Sequence, residues 1–148
     1  MVSAKNFRRN PMWQTYADSL FYKPKISSFI NKHSDYRVAL SECSPSVYIS
    51  DTCGSDTAGL TWCTPSSIDI EVSSWILIDK KATQGVIRHE LAHAIAYICK
   101  LEGGYHGKGF NQALKLTSPK LFRKDRHWYD TPDVYAERKK FHPKTTFR

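Results

Sequence analysis

His89 and His93 stand four residues apart in the stretch Arg88-His89-Glu90-Leu91-Ala92-His93-Ala94. At 3.6 residues per turn, that spacing puts the two imidazoles about 40° apart on one helical face, one turn above the other. Two imidazoles stacked in this way can share one metal ion. Zinc suits the pair, because neutral imidazole is a good ligand for it and a tetrahedral site with three protein ligands keeps one position open. Glu90 sits on the flank of the same face. A carboxylate there can take a proton from water activated by the ion and pass it to a leaving amine. The chemistry on offer is metal-assisted hydrolysis, with His89 and His93 as metal ligands, Zn2+ as cofactor and Glu90 as general base.

This is the H-E-x-x-H arrangement of zinc metallopeptidases. In a chain of 148 residues with 6 His, chance produces such a match at a rate of about 0.8%. The context lowers that rate. From Thr83 to Lys100 there is no Pro and only one Gly, Gly85, near the start. Val86, Ile87, Leu91, Ala94, Ile95 and Ile98 form an apolar stripe at helical spacing, which leaves His89, His93 and Tyr97 along its edge. A helix with two half-buried histidines bonded to their neighbours is the bland alternative, and the motif set in this helix outweighs it.

A third ligand is needed, and His106 is the expected one. Twelve residues separate it from His93. Gly103 and Gly104 are expected to end the first helix and permit a sharp reversal. A second helix should begin near Gly107, run through Phe110, Ala113, Leu114 and Leu116, and stop at Ser118-Pro119. His106 then sits at its N-terminus, folded back toward the first pair. The competing positions are poorer. Ala96 and Cys99 stand where a metzincin would carry Gly and His, and Glu102 lies too close to the helix end to turn back easily.

The motif Arg88–Ala94, followed by His106-Gly107-Lys108-Gly109-Phe110, resembles the SprT-like zinc metalloproteases, which include bacterial and phage-encoded domains. In that family the third ligand is a His that opens an H-G-x-x-F-like turn into a helix, and Phe110 matches the aromatic. Ser67–Leu77 resembles the strand and turn that precede the metal helix, and Ala58-Gly59 with Leu60-Thr61-Trp62 resembles the strand before it. The likeness covers roughly residues 36–118. It implies a zincin-like fold, with His89, His93 and His106 as zinc ligands and Glu90 as general base. Many relatives carry a C-terminal zinc ribbon with paired C-x-x-C motifs, and no C-x-x-C occurs here.

The elements that must position these residues read as one α+β domain over 1–148, with a basic, aromatic-rich C-terminal segment at 119–148. Hydrophobic content of 41% and charged content of 24% are ordinary globular usage. Asn10-Pro11 starts a helix whose apolar residues are Met12, Trp13, Tyr16, Ala17, Leu20 and Phe21, and Lys23-Pro24 stops it. Ile26, Phe29 and Ile30 suggest a shorter second helix. Val38 and Leu40, Val47 and Ile49, Leu60 and Trp62, then Ile68, Ile70 and Val72 alternate with polar residues. They predict a small, mainly antiparallel meander of three or four strands. Trp75–Ile78 bridges into the metal helix, with Asp79 or Thr83 as N-cap. An exposed edge at Leu60–Cys63 or Ile68–Val72 could bind a protein or peptide substrate in extended form. Tyr105, His127 and Tyr129 are oxyanion-stabilising candidates by residue type alone.

The net charge of +8 is unevenly spread: residues 1–37 carry +5, residues 38–118 carry −2 and residues 119–148 carry +5. Basic ends interleaved with Phe122, Trp128, Tyr129, Tyr135, Phe141 and Phe147 fit DNA or RNA as a partner, and equally fit a solvated surface or a tail packed on the body. No 18-residue apolar stretch exists for a membrane span, and no apolar leader is present. Cys43, Cys53, Cys63 and Cys99 lack paired metal spacing and read as reduced thiols, so a cytoplasmic location is expected. The leading function is a zinc endopeptidase. Two alternatives are a nucleic-acid-binding module with a structural or idle zinc site, and a regulatory metallopeptidase that cleaves one repressor. The presence of Glu90 argues against an idle site.

Overall fold

The computed structural model of the chain describes residues 7–33, 44–51, 57–104, 106–118 and 132–141. Its first helix, α1 (Pro11–Phe21), starts as the residues dictate. The Asn10 side chain accepts a hydrogen bond from the Trp13 backbone N–H at 3.1 Å, and Pro11 fills a position whose N–H has no helical partner anyway. Trp13, Ala17, Leu20 and Phe21 are buried. Pro24 follows the end of this helix and opens α2 (Pro24–His33), which buries Ile26 and Ile30.

Four strands form one sheet: β1 (Phe7–Arg9), β2 (Ser46–Ser50), β3 (Gly59–Cys63) and β4 (Ile68–Ser73), in the order β1-β2-β4-β3. The β1–β2 and β3–β4 pairs are antiparallel and β2–β4 is parallel. The sheet is therefore mainly antiparallel, but it is not a meander, because β4 inserts between β2 and β3. Alternation sets which side chains share a face and is silent on which strand lies beside which. It also gives no sign of β1, whose three residues include two arginines. The strand expected around Val38 and Leu40 lies outside the described residues. Of the two candidate edges, β3 is the edge among the described residues, whereas β4 is paired on both sides.

The turn Thr64–Ser67 joins β3 to β4, with the Thr64 hydroxyl accepting from the Ser67 N–H at 3.0 Å. After β4 a 3-10 turn, Ser74–Ile78, buries Trp75 and Ile76. Asp79 then caps the long helix α3 (Lys80–Ile98) by accepting from the Ala82 N–H at 2.9 Å. Thr83, the other cap candidate, instead ties the 3-10 turn to the helix, its hydroxyl lying 2.9 Å from the carbonyls of both Ile76 and Asp79. The whole apolar stripe of α3, from Val86 to Ile98, is buried between the sheet and the other helices. Alongside it runs α4 (Lys108–Thr117), which buries Phe110 and Ala113.

Part of the basic C-terminal segment is structural. Helix α5 (Pro132–Phe141) packs on the 3-10 turn, with Val134 fully buried and the Arg138 guanidinium 5.0 Å from the centre of the Trp75 ring. No helix among the described residues is long and apolar enough to cross a membrane.

Candidate metal centre

Lys100, two residues past the last helical residue of α3, stops that helix, and the glycines that follow do not. Lys100 takes a left-handed φ of 53°, its N–H donates to the Tyr97 carbonyl at 3.2 Å, and the Leu101 N–H donates to the Ala96 carbonyl at 2.9 Å. That pair of bonds closes the last turn of a helix and normally has Gly at its left-handed residue. Gly103 and Gly104 act next, with φ of 106° and 78°, and turn the chain back. Gly107 passes so close to the Gly103 carbonyl that a Cβ there would collide with it. The result is a short return that delivers His106 against α3 and starts α4 one residue after Gly107.

His89, His93 and His106 converge as the sequence predicts. The ligand-capable atoms of the three lie within 4.8 Å of one another, and the Nε2 atoms of His89 and His106 are 3.3 Å apart. Nitrogens bound tetrahedrally at zinc distances of about 2.0–2.1 Å would be spaced about 3.3–3.4 Å apart. The His89–His106 pair already has that spacing, and separations of up to 4.8 Å within the set would have to close for one divalent ion to be held by all three. Burial, reinforced by the neighbouring imidazoles, pushes His89 down to about 4 and His93 down to about 3, so at neutral pH both rings are uncharged and keep a lone pair for a metal.

Glu90 follows on α3 and is 5% exposed. Its Oε1 lies 2.9 Å from the Thr61 hydroxyl of β3, and its Oε2 lies 3.9 Å from His89 Nε2. Burial raises its pKa to about 7, against the opposing pull of the Thr61 hydrogen bond. A cation held by the adjacent imidazoles would draw that value back down. The site thus combines a three-imidazole ligand set with one sheltered carboxylate, an arrangement that can activate water.

A family model described as the SprT-like family matches residues 26–126. The chain belongs to the SprT-like family. No curated protein and no solved structure gives a significant match. The SprT-like match runs from within α2 through β2, β3, β4, α3 and α4, and so takes in all three histidines and Glu90, while β1 and α1 precede it.

Three further residues position this SprT-like site, and motif reading assigns them no role. Arg88 donates from Nη1 to the Tyr16 hydroxyl at 2.8 Å and from Nε to Ser118 Oγ at 3.2 Å, and the Thr117 hydroxyl donates to the Arg88 carbonyl at 2.9 Å. Arg88 and Thr117 thereby fix α1, α3 and the end of α4 together. Thr61 is the third. Its place beside exposed Trp62 in an alternating strand marks it as inward-facing, and that is the one signal the sequence offers. Tyr105, His127 and Tyr129 lie outside the described residues, as do Cys43 and Cys53. Cys63 and Cys99 form no disulfide and stand apart from the histidine cluster.

Proposed function

We propose that this SprT-like chain is a zinc-dependent endopeptidase in which His89, His93 and His106 hold the ion and Glu90 is the general base. One observation carries the reading: a buried carboxylate stands 3.9 Å from a ring nitrogen of a three-imidazole cluster. A purely structural site has no need of it. When bound, zinc supplies Lewis-acid polarisation of a carbonyl and lowers the pKa of water. The chain's own residues do the rest. The outer edge of β3, beside which no described strand lies, offers backbone groups to an extended peptide, which would lie about 4.8 Å from that strand. Glu90 takes the proton of the attacking water on its Oε2 and returns it to the leaving amine.

The test is cleavage of a denatured protein and of quenched fluorogenic peptides by the chain as isolated, after chelation, and after zinc is returned. Cleavage that disappears on chelation and returns with one equivalent of zinc supports the reading. No cleavage by a chain carrying one zinc favours a structural site.

The uneven charge supports nucleic acid as a further partner, since segments 1–37 and 119–148 carry +5 each. In the described part of the tail, Arg138 is engaged with Trp75, and Lys140 pairs with Glu137 at 3.0 Å. Lys108 and Lys115 stand with Asn111 and Gln112 along an open groove on α4 and add basic side chains to that face.

A further inference from the structure

We infer that Thr61, on β3, is a positioning residue for Glu90: its hydroxyl holds one carboxylate oxygen so that the other faces the imidazole cluster. The inference rests on the reading of Glu90 as the base. The Thr61 hydroxyl lies 2.9 Å from Glu90 Oε1 and 2.9 Å from the Glu90 backbone carbonyl, and it has one proton to give. The carbonyl belongs to the interior of α3, where the helix supplies it with a donor of its own. The ionised carboxylate is the stronger acceptor, and a hydrogen bond to it is roughly twice as strong as one between neutral groups.

Glutamate has three rotatable bonds, and fixing it costs rotamer freedom. Threonine is stiff at χ1, and here its backbone is held in a paired strand. It is therefore a fixed donor that selects one glutamate rotamer. The strand closes on Glu90 at a second point, where a Cβ on Gly59 would come within 3.0 Å of Glu90 Cγ. With Oε1 held by β3, Oε2 is the oxygen left on the side of His89, at 3.9 Å. The strand that would pair with substrate is thus the strand that aims the base.

Thr61→Val keeps the shape and the strand preference and removes the hydroxyl, and Thr61→Ser keeps the hydroxyl. In the zinc-loaded crystal structure of Thr61→Val, Glu90 should occupy more than one rotamer. Its kcat should fall roughly 10-fold or more, as expected for losing a hydrogen bond to a charged group, while KM and bound zinc stay within about twofold of the parent. Thr61→Ser should restore both the single rotamer and most of kcat. A single, unmoved Glu90 conformer in Thr61→Val overturns the inference, and so does unchanged kcat in Thr61→Val when Glu90→Gln is inactive. Full activity of Glu90→Gln removes the base itself and the inference with it, so the variant that keeps its activity tells the two failures apart.

Discussion

Phe110 stacks on His93, with ring centroids 4.2 Å apart and planes 30° from parallel. The same ring meets His89 at 4.8 Å and His106 at 4.9 Å, so one buried aromatic lies against all three imidazoles. This explains the spacing of His106 and Phe110: the turn delivers the histidine, and the first turn of α4 places the ring that fixes its orientation. Phe110→Leu should keep the fold but loosen the imidazoles, weakening zinc affinity by about 10-fold, the lower end of what supporting residues contribute around a metal. Chelator competition measures it, and an unchanged affinity would show that Phe110 only fills space.

Gly107 faces the Gly103 carbonyl with no room for a side chain. Gly107→Ala must open the return loop and move His106 away from α3. Zinc affinity should then drop nearly as far as in His106→Ala, with a lower Tm, although no ligand has been altered. Titration of both variants with zinc checks this. Parent-like affinity in Gly107→Ala would mean that the loop relaxes without carrying His106 with it.

Much of this centre is legible in the sequence because helical spacing is geometry. His89, Glu90 and His93 have to share a face, and the buried stripe from Val86 to Ile98 has to turn that face to the rim of the core. His106 is legible from the glycines that precede it. What alternation cannot convey is long-range. The insertion of β4 between β2 and β3 and the pairing of Phe7–Arg9 with β2 depend on contacts between distant segments. The Thr61–Glu90 bond is of the same kind, since 29 positions separate its partners. The stop that Lys100 gives α3 is hidden because a left-handed lysine stands where glycine is the usual signal.

Helix α5 packs on the 3-10 turn that carries Trp75, with Val134 buried and the Arg138 guanidinium over the Trp75 ring. A chain ending after Ser118 loses this packing, and the burial of one valine alone contributes roughly 1.5–3 kcal/mol. Its Tm should fall by about 5 °C or more on that scale. An unchanged Tm would show that α5 contributes nothing to the body of the protein.

Contact with nucleic acid through the basic ends should be strongly salt-dependent and weakly sequence-dependent, because phosphates release counterions and no base-reading element is present among the described residues. Titrations on single- and double-stranded DNA at two salt concentrations test it. Absence of binding at low salt would remove nucleic acid as a partner and leave the peptidase reading untouched.

The most direct test of the peptidase mechanism is the turnover of Glu90→Gln with its zinc content measured on the same sample. Glu90 is not among the three metal-binding candidates, so the variant should hold one zinc and keep its fold. Its turnover of a cleaved peptide should fall by at least about 10²-fold, the scale of a lost general base. Full turnover by zinc-loaded Glu90→Gln would contradict the assignment of Glu90 as the base.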